Sequence, residues 1–250
     1  MERDRRQFLA SSLALGASGL LIAAPIARAE DPRANAADSP SREAGKQDQP
    51  AEEVPATEDL MREHGVLNRV LLIYEEGLRR LAAKEDIAPA VFQRSAELVR
   101  KFVEDYHEKL EENFIFPEFE KRGKLIDLVK TLRRQHDAGR AVTDTMIRLS
   151  AGDQFVKADN QRQLVMATRQ FIRMYRPHEA REDTVLFPTF RKIVSASRIT
   201  ELGDQFEKEE DRLFGDEGFE KTVDQVAEIE KQLGIYELAQ FTPDVNITRK

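Results

Sequence analysis

Between residues 57 and 195 the apolar side chains recur at alternating intervals of four and three, the rhythm that lines one face of an α-helix. Leu60, His64, Leu67, Leu71, Tyr74, Leu78 and Leu81 make the first such stripe. After a break from Asp86 to Pro89, Phe92, Ala96, Val99, Val103, His107, Leu110 and Phe114 make the second. Pro117 is expected to bend or end that helix, with Gly123 as its stop. Leu125, Val129, Leu132, His136, Gly139, Thr143 and Met146 form a third stripe closed by Gly152 and Asp153, and Leu164, Phe171, Met174, His178, Glu182 and Val185 form a fourth. Pro177 removes a backbone donor just before His178 and is expected to kink the fourth helix there. Four amphipathic helices joined by short breaks predict an all-α, up-down-up-down four-helix bundle over 57–195.

Weaker patterns follow. Ile199, Leu202, Phe206 and Leu213 predict a fifth helix, and Phe219, Val223, Val226, Ile229 and Leu233 a sixth that stops at Gly234. Residues 196–250 thus read as a helical extension that caps the bundle or supplies a homodimer contact, with the segment from Ile235 to Pro243 apolar enough to dock.

Upstream the pattern changes character. Arg5-Arg6-Gln7-Phe8-Leu9 leads into an uncharged run that ends at Ala27-Arg28-Ala29, a small-x-small cleavage site, so 1–29 resembles a twin-arginine export signal. Asp4 and Ala10 stand where such signals carry Ser or Thr and Lys. The run is long enough to span a bilayer, but its Gly, Ser and Ala content makes it weakly apolar, and removal of the signal leaves a periplasmic chain without stable membrane insertion. From residue 30 to 56, Asp, Glu, Ser, Ala, Gln and Pro predominate, the composition of a disordered tether. Thr57 is the predicted N-cap of the first helix, with Glu58 and Asp59 in its first turn.

Composition narrows the chemistry. A chain of 250 residues at 40% apolar content buries one ordinary core. A net charge of -7 without a long basic stretch excludes a phosphate-binding surface of the nucleic-acid kind. The absence of cysteine rules out disulfides, thiolate ligands and iron–sulfur clusters.

Every histidine of the chain lies on one of the four stripes. The stretch His107-Glu-Lys-Leu-Glu-Glu-Asn-Phe-Ile-Phe-Pro117 returns as His178-Glu-Ala-Arg-Glu-Asp-Thr-Val-Leu-Phe-Pro188, and His64 and His136 precede these copies by similar intervals, so the region is an internal duplication. Within each copy His and Glu stand four apart, His107 with Glu111 and His178 with Glu182, on one helical face. A lone histidine on an apolar stripe is ordinarily a satisfied core residue. Four on four stripes, two followed by a carboxylate one turn on, are a ligand set, because unpaired carboxylates in a core cost on the order of several kcal/mol that a cation removes. Imidazole with carboxylate suits iron, manganese or zinc.

This pattern resembles the hemerythrin-like, HHE cation-binding domain. The resemblance implies a bundle holding two non-haem irons, His64 and His107 on one, His136 and His178 on the other, with Glu111 and Glu182 bridging. Oxygen-carrying hemerythrins have a further histidine where this chain has Arg140, and place a bridging carboxylate where it has Asp183; Glu182 repeats Glu111 and is preferred. Arg140 is expected to turn toward solvent or a carboxylate such as Asp144, with Gly139 leaving room for a small ligand. Glu108 and Glu179 should point elsewhere, solvated or behind the ligands, while Tyr74, Tyr106 and Tyr175 lie near the site and could donate protons or electrons. A shell with two carboxylates is less anionic than that of ferritin-like sites, which have four. It therefore favours small diatomic or anionic ligands, O2, NO and peroxide, over hydrocarbon oxidation. The function expected is scavenging or sensing, with a di-iron enzyme acting on peroxide or nitric oxide, or an iron-reservoir or structural bundle, as alternatives.

Overall fold

The computed structural model describes residues 55–244, so the predicted export signal and the predicted tether as far as residue 54 lie outside the described residues. Among the described residues the chain is all-helical, without a strand, and none of its helices is long and apolar enough to cross a membrane.

Helix α1, Ala56–Ala83, has its N-cap at Pro55, two residues before the predicted cap Thr57. The Pro55 carbonyl accepts from the Glu58 and Asp59 amides (2.8 and 3.1 Å), which leaves Thr57 buried in the first turn instead of capping it. Lys84, in the left-handed region, closes the helix, and Pro89 opens the next at a position where its missing N–H costs nothing. This second helix, α2, runs through residues 89–122 and ends at Gly123 (φ 62°), whose left-handed backbone only glycine adopts without strain. Helix α3 is Ile126–Ser150, and α4 spans residues 158–193.

Neither proline of the duplicated stretch breaks its helix. Instead the turns Glu111–Ile115 and Glu182–Leu186 widen to π-helix, and the Phe116 and Phe187 amides reach back to the Glu111 and Glu182 carbonyls. A proline ring collides with the carbonyl four residues before it, and widening the preceding turn relieves that collision. The extra residue moves the buried stripe. Phe114 and Val185, predicted core positions, are only half-buried, whereas Ile115, Phe116, Leu186 and Phe187 are fully buried. In α4 the core position beside Met174 falls to Tyr175, and the helix passes through Pro177 uninterrupted.

Helix α1 packs on α2 and α4, and α3 packs on the same two, so the interior is walled by all four long helices. The predicted C-terminal helices are present as α5, Ala196–Phe214, and α6, Gly218–Leu233, with Gly234 as the stop. Both pack on α1 and α2, where Leu202, Phe206, Val226 and Ile229 are fully buried. The segment after Gly234 is not docked as expected: Leu238 is 82% exposed and Phe241 53%.

Candidate metal centre

Each of the four walls contributes a histidine to one layer of the interior: His64 from α1, His107 from α2, His136 from α3 and His178 from α4, all buried. Glu111 and Glu182, one turn beyond the α2 and α4 histidines, are fully buried in the same layer. The structure brings all six predicted residues together. His64 Nε2 lies 3.4 Å and His178 Nε2 3.2 Å from Glu182 Oε2. His107 Nε2 lies 3.7 Å and His136 Nε2 3.5 Å from Glu111 Oε2. His136 and His178 approach to 3.2 Å between Nε2 atoms, and the rings of His64 and His107 are 4.8 Å apart. Each carboxylate therefore touches one histidine of the His64/His107 pair and one of the His136/His178 pair.

The imidazoles point their Nε2 atoms inward because their Nδ1 atoms are engaged outside the cluster. Nδ1 of His64 donates to Asp183 (2.7 Å), that of His107 to Glu63 (2.8 Å), that of His136 to Glu112 (3.1 Å) and that of His178 to the Gln135 amide oxygen (2.9 Å). These acceptors hold the proton on Nδ1 and leave the Nε2 lone pair for a ligand role. The Phe of each Phe-Pro dipeptide completes the cage from the opposite half: Phe116 stacks on His136 (5.5 Å) and Phe187 on His64 (5.7 Å). The π turn that relieves the proline thus precedes the ring that flanks the histidine.

Electrostatically the layer is poised for a cation. Burial and then the charge of Glu182 raise the Glu111 carboxyl well above the usual range. Burial acts the same way on Glu182, but His178 and His64 outweigh it and hold Glu182 well below that range. Burial opposes charge on His64 too, yet the hydrogen bond to Asp183 and the neighbouring Glu182 carboxylate raise it to about 10. His107 and His136 are lowered, chiefly by burial, His136 to about 4. All four carboxylate oxygens of Glu111 and Glu182 lack a hydrogen-bond donor. Orphaned acceptors of this kind, facing imidazole nitrogens, fit a bound metal.

Several neighbours depart from expectation. Asp183 does not enter the inner cluster; it stands behind His64, with its side chain 29% exposed. Glu108 and Glu179 are buried, which fits the second of the two placements expected for them and not the solvated one. Burial raises both to about 8. Glu179 accepts from Asn68 (2.5 Å), and Glu108 from the Tyr175 hydroxyl (2.7 Å). Arg140 turns to carboxylates as expected, but to Glu108 and Glu112, at 2.7 Å each, and not to Asp144, which binds Arg100. The acidic group of Glu108 and Glu112 beside His136 is thus already supplied with a cation by the guanidinium. Gly139 leaves no room for a ligand, because the Tyr175 ring fills the space above it.

The acceptors Glu63, Gln135 and Glu112 escaped the sequence reading. One signal for them existed: each is the chain neighbour of a predicted ligand, His64, His136 and Glu111. Each nevertheless serves a histidine on another helix, a pairing that helix periodicity does not encode.

Residues 56–190 match the family model described as Hemerythrin HHE cation binding domain. Uncharacterized proteins from Mycobacterium bovis and from Mycobacterium tuberculosis are 48% identical to the chain over 196 residues, covering 78% of it and 77% of each relative. No solved structure matches.

The packing of Tyr175 on Gly139 yields a stability prediction. A Cβ at position 139 would meet the Tyr175 hydroxyl at 2.0 Å and ring carbon Cζ at 2.9 Å. Alanine gains about 1 kcal/mol of helix propensity over glycine, but overpacking costs about 1–3 kcal/mol, and the ring it meets is buried and hydrogen-bonded. Gly139→Ala is expected to lower unfolding free energy by up to about 2 kcal/mol in denaturant titrations, and in a Tyr175→Leu background the same change should be neutral or stabilising. An undiminished cost in that background would contradict the packing.

Proposed function

The chain belongs to the hemerythrin HHE cation-binding family, and from that membership we propose that it is an exported di-iron protein that binds O2, NO or related small oxidants to scavenge or sense them. The four long helices take up-down-up-down order around the site. His64 and His107 hold one iron, His136 and His178 the other, and Glu111 and Glu182 bridge them. Manganese or zinc is the alternative occupant for a nitrogen and oxygen donor set without thiolate.

One observation carries this reading: six buried donors from four helices turn unpartnered or weakly partnered atoms toward a common space, with a carboxylate between the members of each cross-pair. Iron at this position supplies electron transfer and coordination sites for small ligands. The protein's own contributions are separate and specific. The Nδ1 acceptors orient the imidazoles, Phe116 and Phe187 keep water from the rings, and the buried carboxylates offset the charge of the ions. Two histidines and two shared carboxylates would hold each ion and would leave it able to take an exogenous ligand without the space above Gly139.

Tyr175 and Glu108 favour a second reading, a di-iron enzyme acting on peroxide or nitric oxide. The tyrosine hydroxyl donates to a carboxyl raised to about 8, and its ring lies 5.5 Å from that of His178, so a protonated pair adjoins the site near neutral pH.

Export rests on the Arg5-Arg6 pair, the uncharged run and the Ala27-Arg28-Ala29 cleavage site, which support a twin-arginine route to the periplasm.

Three expected outcomes follow. Anaerobically purified protein should carry two irons per chain, and the His107→Ala, Glu111→Ala double variant should lose metal and melt earlier; full occupancy in that variant rules the ligand assignment out. The diferrous protein should react with O2 in stopped-flow mixing without a lasting oxygenated complex, whereas an adduct that persists for hours and releases O2 under vacuum indicates reversible storage. Catalytic consumption of peroxide in excess of iron would favour the enzyme. Replacing Arg5 and Arg6 by lysine should trap an uncut precursor in the cytoplasm, and normal periplasmic accumulation of that variant argues for another route.

A further inference from the structure

The duplication extends beyond the six predicted ligands. Counting by the repeat, Glu63 corresponds to Gln135, Asp183 to Glu112, Asn68 to Arg140 and Glu179 to Glu108. The contacts obey the same correspondence. Glu63 backs His107 as Gln135 backs His178, Asp183 backs His64 as Glu112 backs His136, and Asn68 bonds Glu179 as Arg140 bonds Glu108. The two halves therefore share a plan but not a charge.

We propose that the two ion positions are inequivalent, the His64/His107 position taking a divalent cation more tightly than the His136/His178 position, and that Gln135 is the positioning residue that does most to set the difference. The proposal rests on the two-ion reading above. Three contrasts point the same way. The first is the partner of the α2 or α4 histidine: His107 donates to the Glu63 carboxylate at 2.8 Å, His178 to the neutral Gln135 amide at 2.9 Å. A carboxylate behind an imidazole raises its basicity as a ligand and brings negative charge toward the ion, whereas an amide only orients the ring. The second is the carboxylate behind the other histidine. Asp183 approaches His64 at 2.7 Å, while Glu112 stands 3.1 Å from His136 and is drawn off by Arg140 (2.7 Å) and Lys109 (2.6 Å). The third is the guanidinium itself. Arg140 carries a fixed positive charge beside the His136/His178 position, where the other half has the neutral side chain of Asn68.

Removing or neutralising such a partner typically changes metal affinity about 10–100-fold, so the two positions should be separable in a titration. The experiment is competitive titration of the metal-free mature chain with Co(II), followed optically under anaerobic conditions and repeated with Fe(II). Wild type is expected to take two ions in two steps about 10–100-fold apart. Gln135→Glu should tighten the weaker step about tenfold and narrow the gap, a gain that a merely disruptive change cannot produce. Glu63→Gln should weaken the tighter step, and His178→Ala should leave the tight ion where His107→Ala leaves the weak one. Two ions taken up with equal affinity by wild type, or an unchanged gap in Gln135→Glu, overturns the inequivalence while leaving the two-ion reading standing. Uptake of one ion or none by wild type overturns the two-ion reading and the ranking with it.

Discussion

Two carboxylates and four imidazoles share one buried layer, and the cost of holding them there is the constraint to which the surrounding structure answers. Leaving such groups uncompensated costs on the order of several kcal/mol per charge. Burial drives the Glu111 carboxyl toward its neutral form, and a cation among the six groups removes the cost. The long helices deliver the groups, the phenylalanines Phe116 and Phe187 wall them, and the Nδ1 acceptors stop the imidazoles from rotating to satisfy the carboxylates by other means.

The proline-linked π turns show how a local conflict serves that layer. An α-helix entering Pro117 or Pro188 meets a steric clash, and the wider turn that resolves it starts at the glutamate of the cluster. Glutamate, π turn and stacked phenylalanine therefore form one local unit, present once in each half. Its repetition accounts for the near-symmetry of the layer, and the differences between halves lie one step further out, in Glu63 against Gln135 and in Asn68 against Arg140.

Around Arg140 the chain departs from a carrier-type site by construction rather than by loss. The guanidinium cannot act as a ligand, but it pairs with Glu108 and Glu112 and offsets the charge that the half-buried Glu112 carboxylate would otherwise add beside His136. Tyr175 occupies the gap over Gly139 and donates to the same Glu108, so helices α2, α3 and α4 are tied together at one edge of the layer. The C-terminal helices support the other side, packing on α1 and α2 through Leu202, Phe206, Val226 and Ile229.

Helix period and short-range spacing were enough to read the helices, and the six residues that meet in the buried layer, from the chain alone. Four stripes, the duplicated stretch and the four-residue separation of His107 from Glu111 and of His178 from Glu182 are properties of single helices, and a helix brings such residues to one face whatever surrounds it. The C-terminal helices α5 and α6 were legible for the same reason. Contacts between helices were not. Which carboxylate stands behind which imidazole, that Arg140 turns to Glu108 and Glu112 and not to Asp144, and that Tyr175 closes the space over Gly139 all depend on how neighbouring faces interlock. The one-residue advance of the buried stripe after Glu111 and Glu182 lay between the two levels: the prolines were visible, but whether the helix would stop, bend or widen was decided by the packing of Ile115, Phe116, Leu186 and Phe187 into the shared core.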